Sequence, residues 1–354
     1  MPSQLSLYDQ LEVRLEEKLR RELGAAVLEA LADPRVIEVM LNPDGRLWID
    51  ELGVGMRDTG SRISAAQAEN LLGTVAARLG SVITADRPIL EGELPLDGSR
   101  FCGLLPPVVL GPAFCIRRAA ASVYSLDDYV RDEILDAAPS AGIVSIDRPP
   151  ARGHSAVLRH AIRTRQNILV VGGTQSGKTT LANGLLHELR ETVGASQRVL
   201  TIEETRELRC TVENHVALRT TETVDMTRLV RTALRLRPDR IIVGEVRGAE
   251  ALAMLKAWNT GHPGGIATVH ANDAYAGLIR LEQLVQEANV PPQPALIAEA
   301  VDLIVVIVRT PTGRRVTEVA RVLGAASSGY TLEHIEPASA ANGSAQFHRT
   351  LVAV

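Results

Sequence analysis

The stretch Asn167-Ile168-Leu169-Val170-Val171-Gly172-Gly173-Thr174-Gln175-Ser176-Gly177-Lys178-Thr179 constrains this chain more than any other. Residues 172–179 fit the pattern GxxxxGK[ST], and their surroundings matter more than the pattern itself. An apolar run directly before them reads as a buried strand, and Thr180-Leu181-Ala182-Asn183-Gly184-Leu185-Leu186 directly after them reads as a helix. Between a strand and a helix, successive backbone N–H groups of such a loop form a nest for phosphate oxygens. Gly172 and Gly177 permit the tight path, Lys178 reaches terminal phosphates and the Thr179 hydroxyl suits Mg²⁺. A plain glycine-rich turn explains neither the lysine nor the threonine.

The second half of the chain repeats that alternation. Apolar runs at 168–171, 199–202, 241–243, 266–269 and 303–308 are separated by helical stretches. Runs without a polar face need cover on both sides, which predicts an α/β fold with a predominantly parallel sheet. The first half reads differently. Leucines at 7, 11, 15, 19 and 23 draw an apolar stripe along a helix that Asp33-Pro34 closes. Ile37–Leu41 and Leu47–Ile49 flank Asn42-Pro43-Asp44-Gly45 as a hairpin; a helix over about 65–79 and short strands through Leu94-Pro95 and 101–105 follow. The expected division is a smaller α+β domain over 1–118 and a linker over 119–150 with a helix at 126–135. An α/β domain over 151–325 and an Ala/Ser/Gly-rich tail over 326–354 complete it.

A nucleotide site needs carboxylates at the carboxyl ends of sheet strands, where open α/β sheets bind ligands. Ile241-Ile242-Val243-Gly244-Glu245 ends one strand in an acid, and Val199-Leu200-Thr201-Ile202-Glu203-Glu204 ends another in two. A third, Ile266-Ala267-Thr268-Val269-His270, ends in a histidine suited to sensing a nearby phosphate or a catalytic glutamate. The Gly261-His262-Pro263-Gly264-Gly265 turn before it suits a moving element, with His262 a second candidate. Seven arginines at 219, 228, 231, 235, 237, 240 and 247 form either a solvated helix face or an edge that offers charge to a neighbouring subunit's phosphates.

Composition removes other classes. Lys+Arg number 38 against 42 Asp+Glu, a net charge of −4, and only ten residues are aromatic; neither marks a nucleic-acid channel, so no specific nucleic-acid binding is expected. Three cysteines, 102, 115 and 210, stand far apart without a CxxC pair, which excludes four-cysteine zinc and argues against a disulfide framework. No signal-like run opens the chain, and the strongest apolar run, 303–308, falls short of the roughly 20 residues a spanning helix needs. A cytoplasmic protein, with peripheral membrane docking open to it, is the expectation. Only three of the 38 basic residues are lysines, at 18, 178 and 256, and one of them sits in the phosphate loop.

Four segments occur together in the order of the secretion ATPase superfamily, the motors of type II secretion, type IV pili and type IV secretion. They are GGTQSGKTT (172–180), TIEETREL (201–208), RPDRIIVGEVRG (237–248) and TGHPGGIATVHAND (260–273). LPLDGSRF (94–101) and FCIRR (114–118) resemble its arginine elements, and the chain as a whole resembles the TrbB-type conjugative transfer ATPases up to about Gly324. The resemblance implies a RecA-like P-loop core behind a PAS-like α+β domain, with ATP as substrate and Mg²⁺ as cofactor. It implies phosphate contacts from Gly173, Thr174, Gln175, Ser176, Gly177, Lys178, Thr179 and Thr180, with Mg²⁺ on Thr179 and, through water, on Glu245. Glu245 resembles the glutamate that orients water, Glu203 and Glu204 the acidic-box carboxylates, and His270 the histidine-box sensor. Arg100 and Arg117 resemble the arginines that close over the terminal phosphate, with Arg118 as substitute. Gln175 stands where the family usually has Gly, and Glu203-Glu204 where Glu-Asp is commoner. A homohexamer is implied that docks on inner-membrane components of a conjugation or secretion apparatus. A type IV pilus or type II secretion motor is the alternative within the superfamily, and the missing zinc element and the absence of an AIRNLIRE-like run count against it. A DNA translocase and a non-hydrolysing nucleotide switch stand behind it.

Overall fold

The structure, a computed structural model, describes residues 7–118, 123–136, 153–221, 223–311 and 313–337. The connection expected before residue 151 and the stretch after residue 337 lie largely or wholly outside these. The chain divides into two compact units, Met1–Ala121 and Ser122–Val354, each taken by itself below.

The first unit runs α1 (Leu7–Ala32), β1 (Val36–Leu41), β2 (Arg46–Glu51), β3 (Gly55–Arg62), α2 (Ala65–Arg78), β4 (Ile89–Glu93), β5 (Arg100–Leu104) and β6 (Ala113–Arg117). Its strands form one sheet in the order β3-β2-β1-β6-β5-β4, every neighbouring pair antiparallel. Two leucines of the α1 stripe pack on their own domain: Leu19 and Leu23, with Val27, are buried against Leu71, Leu72 and Val75 of α2 and Val39 and Leu47 of the sheet. The helix breaks at Gly24, whose φ of +75° a side chain would strain. Gln67 of α2 donates there to the Glu22 carbonyl at 3.1 Å.

Two strands here differ from the sequence reading. β3, Gly-Met-Arg-Asp-Thr-Gly-Ser-Arg, has no apolar alternation because it is an edge strand with little to bury. The strand expected through Leu94-Pro95 lies earlier, at 89–93; Leu94 instead turns the chain, its N–H donating to the Ser99 carbonyl.

The second unit runs α3 (Leu126–Arg131), α4 (His154–Arg163), β7 (Ile168–Val171), α5 (Lys178–Val193), β8 (Val199–Glu203), β9 (His215–Arg219), α6 (Met226–Ala233), β10 (Arg240–Val243), α7 (Glu250–Asn259), β11 (Ile266–Val269), α8 (Ala274–Gln286), α9 (Pro294–Ala300), β12 (Leu303–Thr310), β13 (Gly313–Ala326) and β14 (Gly329–His334). The eight strands lie in the order β14-β13-β12-β7-β11-β10-β8-β9. From β12 to β9 all neighbours are parallel, and β13 and β14 add an antiparallel edge.

Every residue of β7, β8, β10 and β11 is buried, and the side-chain alternation of a strand covered on both faces explains why nearly all are apolar, with Thr201, Glu203, Arg240 and Thr268 the buried polar members. Leu169 and Val171 pack with Val230 of α6, Met254 of α7, Leu281 of α8 and Ile297 of α9. Ile168 and Val170 pack with Leu158 and Ile162 of α4 and Leu181, Leu185 and Leu189 of α5. The tail expected from 326 onward begins later, since β13 runs through Ala326 and β14 follows it.

The amino-terminal edge of this sheet is tied by polar groups. Asn167, ahead of β7, accepts the N–H groups of Gly264 and Gly265 at 2.8 Å each and donates to the Ala300 carbonyl at 2.7 Å. Arg240, buried at the start of β10, donates to Gln197, the Gly264 carbonyl and the Ile162 carbonyl. Burial pushes its guanidinium down to about 10.

Candidate functional site

Parallel strands deliver their carboxyl ends to one edge, opposite the Asn167 and Arg240 ties, and the chemistry-bearing residues collect there. β7 stops at Val171, and the chain passes through Gly172–Gly177 into α5, which starts at Lys178. Gly177 has φ +102° and Gln175 φ +59°. Gly177 meets the left-handed path without cost, whereas Gln175 meets it with its amide oxygen accepting from Arg309 Nη1 of β12 at 3.0 Å. The aliphatic part of Arg314 (β13) lies against Gly177, where a Cβ would fall 2.7 Å from its Cδ.

Gly172 and Gly173 divide sharply. A Cβ on Gly172 would run into the Ile307 carbonyl oxygen and the Ser176 hydroxyl, whereas one on Gly173 would meet nothing within 4 Å. Gly172→Ala is therefore expected to lower stability and weaken nucleotide binding together, because a backbone carbonyl cannot yield. Gly173→Ala should melt as the wild type does. Equal melting temperatures for the two variants would contradict this packing of the loop.

Lys178 is 7% exposed; its ammonium donates to the carbonyls of Gly172 at 2.9 Å and Gly173 at 2.8 Å and lies 3.3 Å from both ring nitrogens of His270. The Thr179 hydroxyl donates to Glu207 Oε2 at 3.1 Å, and Thr180 follows it in the first turn of α5. The three acids of TIEETREL thus part ways. Glu203 is buried and accepts the N–H groups of Glu207 and Leu208 on one oxygen, at 2.9 and 2.8 Å, holding the turn after β8. Glu204 points outward to Arg247 at 2.9 Å. Glu207, which the sequence reading passed over, meets Thr179.

Glu245, two residues past the end of β10, sits between His270 Nε2, 2.7 Å from its Oε1, and Arg247 Nη2, 2.6 Å from its Oε2. Burial works to raise its carboxyl, but the Arg247 hydrogen bond and the charges of Arg247, His270 and Lys178 outweigh burial and hold it below the usual carboxylate range. A row of contacts then runs Lys178–His270–Glu245–Arg247–Glu204 across three strand ends and the phosphate loop. A buried cation, a glycine-bearing loop between strand and helix, a hydroxyl beside a carboxylate and an ionised glutamate form the set that phosphoryl transfer uses.

Other sequence candidates fall elsewhere. Arg100 and Arg117 belong to the first unit, directly opposite one another on β5 and β6, with Glu93 opposite Arg100 on β4 and Glu38 opposite Arg117 on β1. Arg118 instead donates to the backbone carbonyls of Asp33 and Val36. His262 lies at the opposite edge from the phosphate loop, its Nδ1 2.9 Å from the Pro238 carbonyl, and the glycine turn around it is pinned by Asn167 and Arg240 rather than built to move. The seven arginines of 219–247 do not act as one face: Arg240 is buried, Arg247 reaches the glutamates, and Arg219, Arg228, Arg231, Arg235 and Arg237 are exposed. Arg247 was legible within GEVRG as part of a motif, though not as a partner of two acids. Arg309 and Arg314 had no signal in sequence, since only the pairing of β12 with β7 brings them to the loop.

Residues 148–349 match the family model described as type II/IV secretion system protein. Over 320 residues the chain is 49% identical to the probable conjugal transfer protein TrbB of Sinorhizobium fredii, covering 90% of this chain and 93% of that protein. Over 291 residues it is 33% identical to the type IV secretion system protein PtlH of Bordetella pertussis, covering 77% of this chain and 86% of that one. The crystal structure of the Legionella pneumophila ATPase DotB shares the fold, with a TM-score of 0.53 at 19% identity over 89% of this chain and 82% of that one. Membership follows from the family match and the two sequence relatives: the chain belongs to the type II/IV secretion system protein family, among its TrbB-type conjugal transfer ATPases.

Proposed function

We propose that this chain is the Mg-ATP-hydrolysing motor of a conjugative type IV secretion system. In this reading it has a RecA-like P-loop core and works as a homohexamer on inner-membrane components of the apparatus, powering pilus biogenesis or substrate transfer. The observation that carries the reading is the convergence of Lys178, the Thr179 hydroxyl and the carboxylates of Glu207 and Glu245 on one loop. The relatives' roles in conjugation and type IV secretion support the rest. Among the described residues no helix is long and apolar enough to cross a membrane.

The donor set fits Mg²⁺: a threonine hydroxyl beside a carboxylate offers hard oxygen ligands, and Thr179, with Glu245 through water, would hold the ion. Bound there, Mg²⁺ supplies charge neutralisation between the phosphates. The chain does the positioning. Backbone N–H groups of residues 173–178 cradle phosphate oxygens, and the Lys178 ammonium exchanges its two carbonyl partners for the terminal phosphates. Glu245 accepts a proton from the attacking water and orients it, while His270, in contact with both Lys178 and Glu245, couples the phosphate to the base. Arg100 and Arg117 take the phosphate-closing role by resemblance.

Mass measurement of the purified protein with and without a non-hydrolysable ATP analogue tests the reading, alongside steady-state hydrolysis. A hexamer that forms or tightens with nucleotide is expected. A strict monomer under both conditions would overturn the motor assignment.

A further inference from the structure

We infer that Arg247 is the positioning residue for the Glu245 carboxylate, and that Glu204 works by anchoring Arg247 rather than by binding metal. The inference rests on the proposed hydrolytic role of Glu245 and assigns two residues around it.

Three observations lead there. First, the Arg247 guanidinium is shared: Nη2 meets Glu245 Oε2 at 2.6 Å and Nη1 meets Glu204 Oε2 at 2.9 Å. A planar fork with fixed nitrogens links two carboxylates at a set separation, which a lysine's single ammonium cannot do. Second, the backbone beneath the fork is held. The N–H groups of Arg247 and Gly248 both donate to Glu250 Oε1, at 2.7 and 2.9 Å, and Glu250 is buried at the start of α7. Arg247 therefore projects from a fixed turn. Third, the acid that meets the Thr179 hydroxyl is Glu207, while Glu204 points outward, about half exposed, to Arg247.

The consequence for Glu245 is geometric. A glutamate side chain turns freely about its terminal bond unless an oxygen is held. Here Arg247 Nη2 holds Oε2, while Oε1 lies 2.7 Å from His270 Nε2 without a hydrogen bond, so Arg247 sets the direction of the carboxylate and leaves Oε1 to address the water. A displacement of an ångström at a group that must address one water costs on the order of 10²-fold in rate. Arg247 touches neither phosphate nor water in this scheme, so its loss should reach kcat and spare nucleotide affinity.

The test uses the full-length protein and four variants: Arg247→Gln, Arg247→Lys, Glu204→Gln, and Arg247→Gln combined with Glu204→Gln. Hydrolysis is measured against ATP and, separately, against Mg²⁺, with a fluorescent ATP analogue reporting affinity. Arg247→Gln should lower kcat by about 30- to 100-fold with KM for ATP within about threefold. Arg247→Lys should recover only part of that loss. Glu204→Gln should lower kcat by roughly tenfold at an unchanged half-saturating Mg²⁺ concentration, and the double variant should lose no more than Arg247→Gln alone. A several-fold rise in the Mg²⁺ requirement of Glu204→Gln would make it a metal ligand and overturn the assignment. So would a raised KM with preserved kcat in Arg247→Gln, or losses that multiply in the double variant. Lys178→Ala separates the two levels. If it hydrolyses ATP normally, the site reading beneath the inference fails. If it is inactive while Arg247→Gln turns over normally, the inference alone fails.

Discussion

Lys178→Ala is expected to bring ATP turnover down by about 10²–10³-fold or more, to near background, while the protein remains folded. The ammonium is the one cation that the loop itself contributes, buried at 7% exposure and aimed across the carbonyls of Gly172 and Gly173. Alanine removes a charge that no neighbour replaces at that point, because Arg309 and Arg314 approach the loop at Gln175 and Gly177. Structure should survive. The helix that Lys178 opens is secured by Leu181, Leu185, Leu186 and Leu189, all fully buried, so circular dichroism and the melting midpoint should stay close to those of the wild type. Near-normal hydrolysis in the variant would remove Lys178 from the site.

Glu245→Gln should lower kcat by about 10²–10⁴-fold and leave nucleotide binding in place, since the amide keeps the shape and loses the proton acceptor. The pH dependence has a definite sign. Burial alone would raise this carboxyl, but Arg247, His270 and Lys178 hold it below the usual carboxylate range. Glu245 is thus in its working, ionised form throughout neutral pH, and its contribution falls away only as pH drops through that lowered range. A profile of kcat from pH 5 to 9 should show no acidic limb near neutrality that depends on Glu245. A limb near pH 7 that vanishes in Glu245→Gln would contradict the charge arrangement.

The sequence was most legible where local pattern and burial coincide. The five core strands it predicts, 168–171, 199–202, 241–243, 266–269 and 303–308, are apolar at almost every position because helices cover both faces of the sheet, and the structure extends them by two residues or fewer. β9, at one edge, and β13, paired with β12 and β14, mix polar and apolar residues and give no continuous run. The same division holds in the site. Lys178, Thr179, Glu245 and His270 are named by the strand-then-loop signal. Glu203 carries that signal equally well, yet its oxygen is spent on the N–H groups of Glu207 and Leu208, and Glu207 stands beside Thr179 instead. Only the path of the turn after β8 decides between them. His262 shows the reverse error: a histidine flanked by glycines looked mobile and functional, but direction along a parallel strand sends it to the wrong edge.

The outermost strand of the first sheet has a consequence for crowding. β3 presents Arg57, Asp58 and Arg62 along its outer row of backbone groups, where the Gly60 and Ser61 N–H groups already donate to the Asp58 and Thr59 side chains, and is interrupted by Gly60 at φ +76°. A second strand approaching that row would have to strip water from three charges and straighten a left-handed residue. Copies of this chain held at high local concentration are thereby discouraged from zipping together backbone to backbone. Their association is left to surfaces that side chains can specify, and an irreversible mode of aggregation is avoided.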